Sequence, residues 1–152
     1  MTLHAIKSGY RHVDSAVGYR NEKPTVAGML KAGVPREQLF FTSKVPPREI
    51  NYESAKRCVD ETLKVTGLDY IDLYLLHAPY GGKENRLGAW KGLVETVKEG
   101  KVRSIGEAVL NLMLPRADKC CRCLELRCAS PRRTRAMAEG LSSCYTICMT
   151  ES

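Results

Sequence analysis

Residues 9–22 read GYRHVDSAVGYRNE, and the fold is decided in this stretch. Residues 10–16 form a short run with a strand's character and carry Asp14 near its carboxyl end. Tyr19 follows directly. A helix then starts near Asn21, with Pro24 inside its first turn and Gly33 at its close. The stretch is therefore one strand feeding one helix. Similar strand-like runs recur at 39–45, 70–77 and 102–106, each apolar, rich in β-branched or aromatic residues and bounded by turn signals. A helical stub, Leu3 to Lys7, precedes the first strand and is closed by Gly9. A longer helix is capped by Asn51, gathers Ala55, Cys58, Val59, Thr62 and Leu63 on one face, and ends at Gly67. The last helix runs from about Leu87 to Glu99. Trp90, Leu93, Val94 and Val97 form its predicted buried stripe.

The strand–helix unit repeats about every 30 residues. Asp14 to Lys44 is 30 positions, Lys44 to His77 is 33, and His77 to Gly106 is 29. Strands that alternate with helices form a parallel sheet with right-handed crossovers. Chemistry in such sheets collects at the carboxyl ends of the strands. Asp14, Lys44 and His77 (in LFFTSKV and DLYLLH for the latter two) all lie there, in phase with the repeat. Taken singly, Asp14 could cap a turn, Lys44 could be a solvated lysine and His77 a strand-terminating core histidine. Their common phase argues for a site.

The residue types suit one kind of chemistry. A tyrosine ionises near pH ~10, so its use as a general acid near neutrality needs a neighbour that favours phenolate. Lys44 would serve Tyr19 in this way. Asp14 would supply the counter-charge that a buried lysine needs. His77 would hold a carbonyl oxygen where Tyr19 can deliver a proton. The set fits polar reduction of a carbonyl, with hydride brought by a cofactor because no side chain supplies one.

The segments GYRHVDSAVGYRNE, FFTSKV, GLDYIDLYLLHAP and EGKVRSIG, in this order and spacing, closely resemble the aldo-keto reductases over about residues 2–106. The resemblance implies a TIM-barrel fold and NAD(P)H-dependent reduction of an aldehyde or ketone. It implies Tyr19 as proton donor, Lys44 and Asp14 as the residues that tune it, and His77 as the residue that orients the substrate. The implied cofactor is NADPH, with Asp14 the single candidate contact to it. The implied partner is a small-molecule carbonyl substrate. Two departures stand out. After VRSIG the chain reads Glu107-Ala108-Val109-Leu110, where the family carries a Ser-Asn that grips the nicotinamide amide. Counterparts of the later cofactor-holding strands, and of the family's first strand, are not found. The segment therefore corresponds to barrel strands two to five of eight. The expected architecture is α/β, a partial (β/α)8 barrel of about four βα units over 1–106, followed by an irregular tail over 107–152. A complete barrel typically needs about 250 residues; this chain has 152.

The two regions differ in composition. Residues 1–106 hold one cysteine, Cys58; residues 107–152 hold six, at 120, 121, 123, 128, 144 and 148. Their spacing invites comparison with zinc sites, since Cys120/Cys123, Cys123/Cys128 and Cys144/Cys148 have two, four and three residues between them, but no histidine lies in this region to help. No metal is assigned. The abrupt loss of periodicity at about Gly106 suggests an altered splice, a retained intron or a frameshift. A catalytically inactive fragment without the cofactor site is accordingly the alternative to the reductase reading. The net charge of +7 is spread along the chain, with 17 Lys/Arg against 12 Asp/Glu in 1–106 and 7 against 5 in 107–152. That spread makes a poor nucleic-acid footprint. No apolar run reaches the roughly 20 residues of a membrane helix, and the N-terminus lacks the apolar core of a signal peptide. A cytoplasmic location is expected. Gly28, Gly81 and Gly82 build neither a Rossmann nor a P-loop motif. Tyr80, Gly81 and Gly82 could line a substrate mouth or form a plain loop. Four parallel strands would leave two open sheet edges, which predicts self-association.

Overall fold

A computed structural model describes residues 1–108 and 149–150. Four parallel strands, β1 (His12–Asp14), β2 (Phe40–Val45), β3 (Leu73–Leu76) and β4 (Ser104–Glu107), lie side by side in chain order. Such an order has no switch point. It is the order of a βα barrel rather than of a doubly wound sheet, in which the strand order reverses. The helices are α1 (Thr2–Lys7), α2 (Glu22–Leu30), α3 (Tyr52–Thr66) and α4 (Gly82–Lys98).

The register divides the side chains between two faces, because successive residues of a strand point opposite ways. Phe41, Val45, Tyr74, Leu76 and Ile105 point towards the helices and join Val26, Met29, Ala55, Val59 and Leu93 in the core. Asp14 pairs with Thr42, Thr42 with Leu73, and Lys44 with Leu75, so these residues share the opposite face. In a barrel this second face is the interior.

The helices form where the sequence places them, with instructive shifts. Asn51 caps α3 by accepting a hydrogen bond from Ser54 N at 2.9 Å, and Gly67 closes it at φ 71°. Ala55, Cys58, Val59 and Thr62 are buried as expected, while Leu63 is only partly so. The last helix is longer than the sequence predicts, beginning at Gly82 rather than near Leu87. Glycine is a poor helix former, and Gly81 and Gly82, at φ of 87° and 76°, form the turn into the helix, whose first residues, 82–85, are exposed. Its buried face is turned towards Ala89, Gly92, Leu93 and Thr96, with Trp90, Val94 and Val97 packed at the margin. The turn comes from close approach to α3. A β-carbon on Gly92 would lie 2.8 Å from the Tyr52 carbonyl oxygen.

One expectation about the sheet edges is corrected. The far edge of β4 is not open: β5 (Met149–Thr150) pairs with it antiparallel, Ser104 opposite Thr150 and Ile105 opposite Met149. Main-chain donors and acceptors of an edge take any extended segment, so this pairing has no side-chain signature to read. β1 forms the other edge among the described residues. The irregular tail assigned to 107–152 otherwise lies outside the described residues beyond Ala108, as do its six cysteines. No described helix is long and apolar enough to cross a membrane.

Candidate active site

The four residues singled out in the sequence meet at the carboxyl ends of β1, β2 and β3. Asp14 is the last residue of β1 and Lys44 the penultimate residue of β2. His77 directly follows β3, its amide donating to Val45 O at 3.2 Å. Tyr19 ends a single 3-10 turn, Val17–Tyr19, between β1 and α2. Strand ends supply three of the side chains, and one short turn swings the fourth over them.

Lys44 is the centre of the group. It is 6 % exposed, and a buried ammonium is costly unless paired and hydrogen-bonded. Both needs are met. Its Nζ forms an ion pair with Asp14 Oδ1 and donates a second hydrogen bond to the Ser15 carbonyl at 2.9 Å. The same Nζ stands 5.1 Å from the centre of the Tyr19 ring. Tyr19 is half exposed, and its ring meets that of His77 edge to face, with centroids 5.6 Å apart and planes at 81°. One open aromatic hydroxyl, one buried cation and one imidazole thus share a single corner.

Electrostatics set the state of His77. Burial lowers its pKa below the usual 6.5, the Lys44 ammonium lowers it further, and Asp14 pulls weakly the other way. The imidazole is therefore neutral at neutral pH and carries a single N–H. Nδ1 is buried with no hydrogen-bond partner among the described residues.

Further polar residues surround the four, and sequence reasoning did not find them. His12 lies two residues before Asp14 on the same strand face, and its Nε2 is 2.9 Å from Thr42 Oγ1. Burial lowers its pKa despite opposing Asp14 and Asp72. Ser15 Oγ donates to Asn21 Oδ1 at 2.7 Å across the Tyr19 turn. Ser43 Oγ donates to Glu22 Oε1 at 2.5 Å on the helix side of β2. A glutamate in the first turn of a helix ordinarily reads as a response to the helix dipole, so only the packing reveals the burial of Glu22. Tyr80 is well exposed, and Gly81 and Gly82 adopt φ of 87° and 76° where the chain enters α4.

Comparison with known proteins gives this corner its context. The sequence profile of the Aldo/keto reductase family matches residues 1–113. The chain belongs to the aldo-keto reductase family. The glyoxal reductase of Bacillus subtilis is 43 % identical over 102 residues, covering 67 % of this chain and 36 % of the relative. Methylglyoxal reductase DkgA of Escherichia coli is 39 % identical over 102 residues, again 67 % of this chain and 36 % of the relative. Among solved structures, an aldo-keto reductase from Brucella melitensis superposes with a TM-score of 0.71 at 35 % identity, covering 73 % of this chain and 43 % of that one. An aldo-keto reductase of Bombyx mori in complex with NADP gives 0.65 at 35 % identity, covering 70 % and 38 %. This aldo-keto reductase chain thus spans a little over a third of the length of its curated relatives, and its four parallel strands form a partial barrel that matches their fold.

Proposed function

We propose that this chain carries the carbonyl-reducing site of an NAD(P)H-dependent aldo-keto reductase, with Tyr19 as the proton donor. The observation that carries the reading is the convergence of Tyr19, Lys44, Asp14 and His77 at one corner, with the buried ammonium 5.1 Å from the tyrosine ring. A substrate aldehyde or ketone would place its oxygen between the phenol and the imidazole. Neutral His77 would donate a hydrogen bond to that oxygen and fix its direction. As negative charge develops on the oxygen, the Tyr19 phenol gives up its proton to it, and the Lys44 ammonium stabilises the phenolate left behind. Asp14 holds the ammonium in place.

A nicotinamide cofactor, when bound, supplies the hydride. The half-exposed Tyr19 ring beside His77 and the half-exposed carboxylate of Asp14 leave this face open to a reacting pair. Asp14 is the described residue best placed to meet the cofactor. NADPH is favoured over NADH by the NADP complex of the Bombyx mori relative. Names of relatives, glyoxal reductase and methylglyoxal reductase, point to small α-oxo-aldehydes as first substrates to try.

The test begins with binding. NADPH titrated into the full 152-residue chain should show saturable enhancement of cofactor fluorescence, and methylglyoxal should then be consumed with it. Absence of binding in a sample that melts cooperatively would favour the inactive alternative.

A further inference from the structure

Glu22 is a carboxylate where the inner side of a helix start would ordinarily be apolar. It is 8 % exposed, and its partners are hydroxyl groups. Ser43 Oγ donates to Oε1 at 2.5 Å and Thr62 Oγ1 donates to the same oxygen at 3.1 Å. With the Thr62 hydrogen committed to Glu22, the Tyr74 hydroxyl, 3.0 Å away, donates to Thr62. Burial raises the Tyr74 pKa well above that of an ordinary tyrosine, so it remains a donor. The result is a satisfied run of hydroxyls linking α2, β2, α3 and β3 through one carboxylate. Burying that carboxylate is costly, and an apolar side chain would start the helix without the cost.

Its place in the chain suggests what it does. Glu22 lies three residues after Tyr19. Ser43 directly precedes Lys44 and points to the other face of β2. A second tie crosses the same turn: Ser15 Oγ donates to Asn21 Oδ1, while the Ser15 carbonyl accepts from Lys44. The segment carrying Tyr19 is therefore fastened at both ends to the strand carrying Lys44. It also needs fastening. Arg20, next to Tyr19, sits at φ 55°, the only non-glycine residue at positive φ among those described. Such a conformation persists only where its surroundings impose it.

We propose that Glu22 is a positioning residue: its carboxylate, bound by Ser43 and Thr62, fixes the Tyr19 turn against Lys44 and His77. This inference rests on the proton-donor reading of Tyr19, but its first readouts do not. The full chain is compared with Glu22→Ala, Glu22→Gln and Ser43→Ala. Amide exchange at Tyr19 and Arg20 should quicken about ten- to a hundredfold in Glu22→Ala, the range expected for losing hydrogen bonds to a charged group. Amides of α4, which lies outside the network, should not change. Glu22→Gln keeps an acceptor oxygen and should be intermediate. In the same samples the imidazole resonances of His77 should titrate closer to 6.5 as the Tyr19 ring leaves it, while those of His12, held by Thr42, stay put. Where NADPH-dependent turnover is measurable, kcat should fall more than KM rises.

Unchanged exchange at Tyr19, or equal acceleration in every element, would overturn the proposal; Ser43→Ala decides it should Glu22→Ala fail to fold. If the unaltered chain shows no turnover, the reductase reading fails on its own, and exchange with the His77 titration still determines the role of Glu22.

Discussion

Breaking the Asp14–Lys44 pair from its two ends should have unequal effects. The side chain of Lys44 is 8 % exposed and that of Asp14 is 52 % exposed. Removing the exposed partner strands a buried charge; removing the buried one leaves a carboxylate already in contact with water. Loss of one partner of a fully buried pair costs about 3–5 kcal/mol, and an exposed pair is worth about 0.2–1 kcal/mol. Asp14→Asn falls between these limits, because Asp14 is half solvated and Lys44 keeps the Ser15 carbonyl at 2.9 Å. We expect a cost of about 2 kcal/mol, or about 8–16 °C in Tm for a folded unit of this size. Lys44→Met should cost no more than about 1 kcal/mol, since only the Ser15 carbonyl loses a buried partner. The double variant should then be no less stable than Asp14→Asn alone. Urea denaturation of all four proteins closes the cycle. A Lys44→Met protein less stable than Asp14→Asn would refute the reasoning, because the buried charge would then not be the one that needs its partner.

Other consequences can be checked on the same material. Gly92→Ala should destabilise by roughly 1–3 kcal/mol despite the better helix propensity of alanine, because the new methyl meets the Tyr52 carbonyl; chemical denaturation measures it. Asp72→Asn should cost about 3 kcal/mol, since a 4 % exposed carboxylate holds Arg36 at 2.5 Å and the Phe41 amide at 2.9 Å; a wild-type Tm would contradict this. Stability should also fall as pH drops. His12 and His77 both have folded-state pKa values below the usual 6.5, so between those values and 6.5 the unfolded chain binds more protons than the folded one. Stability contributed by the neutral rings is thus present above 6.5 and lost as pH falls below it. Thermal melts from pH 7.5 to 5.5 should show that slope, and His77→Gln should reduce it.

Much of the site was legible because its residues obey the repeat of the fold. Asp14, Lys44 and His77 recur with the βα unit, and a parallel sheet brings residues of equal phase to one end. Tyr19 sits in the turn after the first of them, where a single 3-10 turn suffices to carry it over Lys44. Glu22, Ser43 and Thr62 were illegible for the opposite reason. They meet across 21 and 40 residues of chain on the helix side of the sheet, and nothing in their local sequence marks them as partners. The start of α4 was missed because its first turn, residues 82–85, is exposed and polar and so adds nothing to the apolar stripe that marks the helix from Leu87 onward. β5 was missed because pairing through the main chain asks for no side-chain pattern. Sequence periodicity therefore reported which residues share a strand end, and packing alone reported what holds them there.

The central claim is that the corner formed by Tyr19, Lys44, Asp14 and His77 reduces carbonyl groups. The most direct measurement is NADPH consumption by the full chain with methylglyoxal, set beside that of Tyr19→Phe at saturating cofactor. The account predicts aldehyde-dependent consumption that falls about 10²–10⁴-fold in Tyr19→Phe, the usual worth of a positioned general acid, with NADPH binding retained. Equal rates in the two proteins, or saturable NADPH binding without any consumption, would contradict it.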